Sequence, residues 1–369
     1  MIKCKDIIQY LEELAPLNLA ESWDNPGLMV GNEEQVVENV LVTLDVTPQV
    51  VKEAISKGID LIISHHPMIF KAIKKINEND LLGSMIYGLI QNKISVYAAH
   101  TNLDIVKGGL NDLLASLLKL EEVEVLEELR RKKMKKIVVF VPVGYEDRVR
   151  EAMAGAGAGW IGDYSDCTFM VQGIGTFKPL EGTNPFIGSK GQLEKVNEYR
   201  LETIVPEEKV NGVIKSMLQA HPYEEVAYDI YHLEVEGQPI GLGRIGKLRE
   251  KVRFGDFVDN VKKVLNTDYI RYVGNEESYV SRVALCTGSG AEFIQISATK
   301  NADVYITGDI KYHDAQLAQQ LGLNIIDAGH YETENIVVPF LVDYLKDAFA
   351  SKGINIVPAE FNKPIYKIK

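Results

Sequence analysis

Short apolar runs alternate with longer stretches of helical periodicity along the first hundred residues. Val40–Asp45 (VLVTLD), Ile59–Ile63 (IDLII) and Ile94–Ala99 (ISVYAA) have the length and content of buried strands. Between them, Thr47–Lys57 and Asp80–Asn92 read as helices, the first with Thr47 as N-cap and Pro48 at its opening position. Ile7, Ile8, Leu11 and Leu14 predict an earlier helix over Cys4–Ala15, stopped by Pro16. Strand–helix–strand alternation of this kind predicts a parallel α/β sheet.

The three strands end in groups capable of chemistry. The first ends at Asp45, the second runs into His65-His66-Pro67, and the third runs into His100-Thr101-Asn102-Leu103-Asp104. Open α/β sheets bind ligands at this carboxyl edge. Only seven histidines occur in 369 residues, so an adjacent pair at a strand end is a concentrated signal.

The texture changes after Lys119. Residues 121–136 are strongly charged, and the basic run Arg130–Lys136 reads as a solvated linker. Strands are then expected at Ile137–Pro142, Cys167–Gly173, Tyr199–Val205 and Ala227–Leu233, with helices at Glu146–Met153 and Glu207–Ala220. That β-α-β-β-α-β order is the ferredoxin-like α+β signature. His221-Pro222-Tyr223-Glu224-Glu225 within it suits a ligand contact or an interface and lacks metal geometry. From Leu248 the α/β texture returns, with helices at Phe254–Leu265, Ala291–Thr299 and Tyr312–Leu321. Strands are expected there at Ser281–Leu285, Asp303–Ile306 and Asn324–Asp327. The expected organisation is an α/β metal-binding domain in two halves, 1–125 and 241–369, interrupted by a ferredoxin-like insert at 126–240.

The second half supplies partners for the histidine pair. His330 and Glu334, in Asp327-Ala328-Gly329-His330-Tyr331-Glu332-Thr333-Glu334, are four residues apart at the start of a helix. That spacing stacks them on one face, with Cβ atoms roughly 5–6 Å apart. With Asp104, the candidates His65, His66, His330 and Glu334 exceed the three protein ligands of one catalytic zinc. They suit two divalent ions about 3.5–4 Å apart, with Glu334 as a bridge. Nitrogen and oxygen donors without thiolate admit zinc first, and also iron, manganese, cobalt or nickel. His100, His313, Asp24 and Asn25 are candidates for the surrounding pocket; His313 forms an i, i+4 pair with Asp309. Thr287-Gly288-Ser289-Gly290 is either a backbone anion cradle or a simple tight turn.

Charge and cysteine content narrow the function classes. Forty basic against 52 acidic residues leave a net charge of −12, which argues against general nucleic-acid or anionic-membrane binding. Cys4, Cys167 and Cys286 are too far apart for a CxxC site or a disulfide framework. With no signal-peptide core and no apolar stretch of about 18 residues, a cytoplasmic protein is expected.

Five segments together resemble one family: SWDNPGL at 22–28, SHHP at 64–67, AHTNLD at 99–104, TGDIKYH at 307–313 and GHYETE at 329–334. They are similar to the motifs of the GTP cyclohydrolase 1 type 2 homologues, also called Nif-three-like proteins, across roughly residues 1–120 and 245–369. The resemblance implies a two-metal site built by His65, His66, Asp104, His330 and Glu334, each at a family ligand position. It implies a toroidal homohexamer, and likens the insert to the PII/CutA-like domain of longer bacterial members. It further implies a hydrolase in which metal-activated water attacks a nucleotide-like substrate, GTP by the family name. The alternative is a non-catalytic metal-binding regulatory protein with the insert as sensor or gate.

Overall fold

The computed structural model describes residues 1–367. The chain divides into two compact units: Met1–Leu129 together with the chain from Ile240 onward, and Arg130–Pro239.

The first unit opens with β1 (Gly27–Val30), β2 (Asn39–Thr43), β3 (Leu61–Ser64) and β4 (Ser95–Ala98). In space the order is β1-β4-β3-β2, with β2, β3 and β4 parallel and β1 antiparallel at the edge. Alternate residues of these strands feed two different cores, as a period-2 backbone requires. Val40, Val42, Leu61, Ile63 and Tyr97 pack against the helices Cys4–Leu14 and Val337–Phe349. Leu41, Ile62 and Val96 pack on the other face against Pro48–Ser56 and Leu81–Gln91. Burial on both faces is why these strands read as unbroken apolar runs. Each such Leu or Ile contributes about 1.5–3 kcal/mol. Thr47 caps Pro48–Ser56 through its side chain, which accepts the Val50 N–H.

β5 (Glu121–Arg131) leads into the second unit. Its strands are β6 (Met134–Pro142), β7 (Thr168–Phe177), β8 (Glu194–Pro206) and β9 (Tyr228–His232). The sheet is antiparallel in the order β7-β8-β6-β9. One face, including Ile137, Val139, Val141, Leu201 and Val205, buries against the helices Glu146–Gly155 and Val210–Ala220.

The first unit resumes with β10 (Pro239–Arg253), β11 (Arg271–Val273), β12 (Tyr279–Ser289), β13 (Val304–Gly308) and β14 (Asn324–Asp327). With β5 they form a sheet in the order β11-β14-β13-β12-β10-β5, its β12-β13-β14 core parallel. The last strand, β15 (Asn355–Pro358), returns to the first sheet and pairs in parallel with β2. Among the described residues, no helix is long and apolar enough to cross a membrane.

The basic run is not a linker. Arg130 and Arg131 close β5, and Lys135 and Lys136 lie on β6. Lys135 is buried and pairs with Glu207 at 2.9 Å, and Lys136 pairs with Glu202 at 3.0 Å. β5 sits at a sheet edge with most side chains in solvent, so a strand there tolerates charge.

One buried carboxylate anchors the C-terminal segment. Glu53 accepts the backbone N–H groups of Glu360 (3.0 Å) and Phe361 (3.2 Å), and the Lys57 ammonium at 2.7 Å. Burial pushes its carboxyl up, but these donors outweigh burial and hold it below the usual carboxylate range. Its stabilisation is therefore complete above the unfolded carboxyl pKa and is lost as pH falls from about 4.5 through the lower folded value. Glu53→Gln is expected to cost about 1.5–3 kcal/mol at neutral pH. Denaturant melts at a series of pH values should show the variant losing less stability than the wild type on acidification.

Candidate metal centre

Four imidazoles converge at the carboxyl edge of the first sheet. His65 and His66 follow β3, His100 follows β4, and His330 begins the short helix His330–Glu334 after β14. Ring centroids lie 5.2 Å apart for His65–His66, 5.3 Å for His65–His100 and 5.5 Å for His66–His330. Each ring has an oxygen partner at Nδ1: the Ala99 carbonyl for His65 (2.7 Å), Asp45 for His66 (2.8 Å), Asp24 for His100 (2.7 Å) and Asp309 for His330 (2.7 Å). A ring that donates from Nδ1 presents the Nε2 lone pair, the arrangement found behind metal-binding histidines.

Two buried carboxylates complete the cluster. Glu334 lies with Oε2 2.8 Å from His66 Nε2 and 3.0 Å from His330 Nε2, and with Oε1 3.9 Å from His65 Nε2. Asp104 Oδ1 lies 3.6 Å from His65 Nε2, and both atoms are buried without a hydrogen-bond partner. Among the described residues no Lys or Arg pairs with either acid. Two sets of donor atoms lie within 4.8 Å of one another, His65/His66/His100 and His66/His330/Glu334. The orphaned His65 Nε2 and Asp104 Oδ1, beside oxygen-backed imidazoles and carboxylates without a Lys or Arg partner, fit a bound cation.

Protonation follows burial and neighbours. Burial drives His65 down to about 3, so it is a neutral donor. Burial also lowers His66 and His330, but carboxylates outweigh it and raise them to about 10 and about 9. Burial and the nearby Glu334 push Asp104 well above the carboxylate range. For Glu334 burial acts upward, and the hydrogen bonds from His330 and His66 override it and hold the group ionised.

Backbone geometry makes the space. Gly288, with φ +65°, is the penultimate residue of β12, and a Cβ there would lie 2.0 Å from Glu334 Oε1. Its N–H donates to Thr333 Oγ1. Thr287-Gly288-Ser289-Gly290 is thus the close approach that admits Glu334. Arg244, 3 % exposed, braces the Asp104 side. It forms a bidentate pair with Asp112 (2.7 and 2.9 Å) and donates to the carbonyls of Ile105 and Val106. Asn111 donates to the Asp104 carbonyl and accepts the Thr287 N–H.

The structure brings His65, His66, Asp104, His330 and Glu334 together, and places His100 in the cluster with them. Asp24 holds His100 and accepts from Thr101; Asn25 instead donates to the Ile69 carbonyl. His313 stands exposed on the helix Tyr312–Gln320, 3.5 Å from Gln316, apart from the cluster. The supporting roles of Asp45, Asp309, Asn111 and Arg244 were not read from sequence. The signal for the two aspartates was their place at strand ends. Beside His66 and His330 opens a cavity of about 620 Å³, with Tyr269, Arg271, Glu332 and Tyr366 in its walls.

The fold and cluster together define an α/β protein with a candidate metal centre. The chain belongs to the Duf34/NIF3 (NGG1p interacting factor 3) family, whose model matches residues 2–364. A Bacillus subtilis protein named GTP cyclohydrolase 1 type 2 homolog is 45% identical over 358 residues, 96% of each chain. A Halalkalibacterium halodurans protein of the same name is 46% identical over 324 residues, 88% of this chain and 87% of its own. The crystal structure of a Bacillus cereus protein related to NIF3 superposes with a TM-score of 0.92 at 43% identity, covering 100% of this chain and 99% of that one.

Removing Asp309 with Asp309→Ala frees the His330 ring, and zinc affinity by calorimetry should fall about 10–100-fold. Arg244→Met should cost about 3–5 kcal/mol in denaturant unfolding, because Asp112 and four carbonyls lose their donor. Pairing it with Asp112→Leu should recover part of that loss.

Proposed function

We propose that the cluster is a dinuclear metal centre and that the protein is a metal-dependent hydrolase of the GTP cyclohydrolase type, acting on a nucleotide-like substrate. The observation that carries this is the outward pairing of four imidazoles around two buried carboxylates, with His65 Nε2 and Asp104 Oδ1 left without partners. His65, Asp104 and Glu334 would hold one cation, and His66, His330 and Glu334 the other. Divalent cations there supply charge to polarise a substrate oxygen and to acidify water. Asp45 and Asp309 engage Nδ1 of His66 and His330, so that on loss of the Nε2 proton each ring would present Nε2 to a cation. The adjoining cavity would orient the substrate: the Tyr269 and Tyr366 rings offer flat surfaces, and Arg271, held by Asp327, is the guanidinium of a wall that also carries Asp45, Asp309 and Glu332.

The insert supports a further part of this reading. Its element order and its β7-β8-β6-β9 antiparallel sheet are those of a ferredoxin-like module, and we assign it as one of PII/CutA type. Family membership supports a homohexameric ring, for which light scattering should return the mass of six chains.

The deciding experiment follows metal content and turnover together on a panel of nucleotides and phosphoesters. Wild-type protein should retain divalent metal at neutral pH and turn over a nucleotide, GTP with formate release being the first to try. Glu334→Gln and His66→Ala should lose metal and turnover alike. Purified wild-type protein without metal would overturn the proposal. Full metal occupancy without turnover would leave the regulatory reading, a metal-binding protein with the insert as sensor or gate.

A further inference from the structure

The second unit carries a cavity of its own, of about 600 Å³, on the sheet face opposite its helices. Phe140, Val171, Gly173, Glu198 and Arg200 belong to one face of β6, β7 and β8, because Phe140 pairs with Arg200, Val171 with Arg200 and Gly173 with Glu198. The helix-covered core takes the alternate residues, Val139, Val141 and Leu201. Two segments, around residues 178–187 and 223–227, wall the open face and turn it into a pocket. Its volume falls in the roughly 300–1,000 Å³ range of small-molecule sites.

The walls are aromatic around one buried acid. Phe140, Phe177, Phe186 and Tyr223 line the cavity. Tyr223 lies 5.9 Å from Phe177 and 6.3 Å from Phe186, centroid to centroid. Glu198 is 8 % exposed, and no Lys or Arg among the described residues pairs with it. Its partner is the Tyr223 hydroxyl, which donates to Oε1 at 3.0 Å. A Cβ at residue 175 would sit 2.0 Å from Glu198 Oε2, so Gly175 is what lets the carboxylate lie against β7. Of the two cations in the wall, Arg200 is paired with Glu202 at 3.2 Å, and Lys178 is exposed. Glu224 and Glu225 add acidic charge at the rim.

We propose that this pocket binds a small organic cation with a flat, apolar body, such as an arylalkylammonium ion, its ammonium group on Glu198 and its body among the four rings. Burying a carboxylate with no cationic partner is costly, and a ligand cation recovers part of that cost. Aromatic faces attract cations and stack on flat bodies, so ring cage and acid select the same chemistry. An anion would meet Glu198, Glu224 and Glu225 instead. The site lies wholly within the insert and is independent of the metal centre.

The test uses the full-length protein and three probes of one shape: 2-naphthylmethylammonium, 2-naphthylmethanol and 2-naphthoate, titrated by calorimetry at neutral pH. The ammonium should bind about tenfold or more tighter than the naphthoate. Glu198→Gln keeps the side chain's size and should weaken the ammonium about tenfold while leaving the alcohol within about twofold. Phe186→Ala, on an exposed loop, should weaken ammonium and alcohol alike; circular dichroism and melting confirm that both variants fold. Equal binding of naphthoate and ammonium, or an ammonium affinity unmoved by Glu198→Gln, overturns the proposal. So does the absence of binding by all three probes. If that absence comes with a lower mass of Phe186→Ala in light scattering, the face is a contact between copies of the chain.

Discussion

Two carboxylates, Asp104 and Glu334, are buried against the same imidazole, His65, and the organisation of the first unit answers to their charge. A buried acid must be protonated, hydrogen-bonded or paired with a cation. Glu334 takes His66 and His330 as donors, and Asp104 is left facing the neutral Nε2 of His65. Among the described residues the cluster draws on no lysine or arginine. What neutralises it must therefore be protons on imidazoles or a cation from solution. The aspartates behind the rings suit the second as well, because they engage Nδ1 and leave the Nε2 atoms of His66 and His330 facing Glu334.

The site depends on how the two halves of the chain close. Asp104 and Glu334 are 230 positions apart (334 − 104), and no local structure can bring them together. β15 crosses back to pair with β2, and Val337–Phe349 packs in the same core as Cys4–Leu14. Arg244 and Asn111 then tie the backbone around Asp104 to the second-half strands. β5 and β10 are neighbours in one sheet, so the chain leaves and re-enters the first unit at adjacent positions. An insert with its own core is tolerated at such a point because it need not distort the sheet that carries it.

Much of this was legible in the chain. The strands before Asp45, His65 and His100 are apolar on both faces and too short for buried helices, and each ends near the expected residue. His330 and Glu334 declare themselves by helical spacing after a strand. Other features carry no such signal. β15 is four residues with a single deeply buried side chain, Ile356, and owes its existence to the open edge of β2. β5 is a strand because β10 offers it hydrogen bonds, against a strongly charged sequence that predicts none. His313 shares its i, i+4 spacing with His330, yet its helix turns it to solvent.

The sequence by itself determined the repertoire: which strands are buried, which acids and imidazoles stand at their ends, and that the middle segment builds a separate α+β module. These follow from local periodicity and from where proline and glycine interrupt it. Only the tertiary structure decided which of those groups share a cavity and in what state. It brought His100 into the cluster, assigned Asp45 and Asp309 to hold imidazoles, and left Asp104 without a donor. The physical reason is that a side chain's chemistry is set by burial and by its nearest charges, and both are properties of the closed fold.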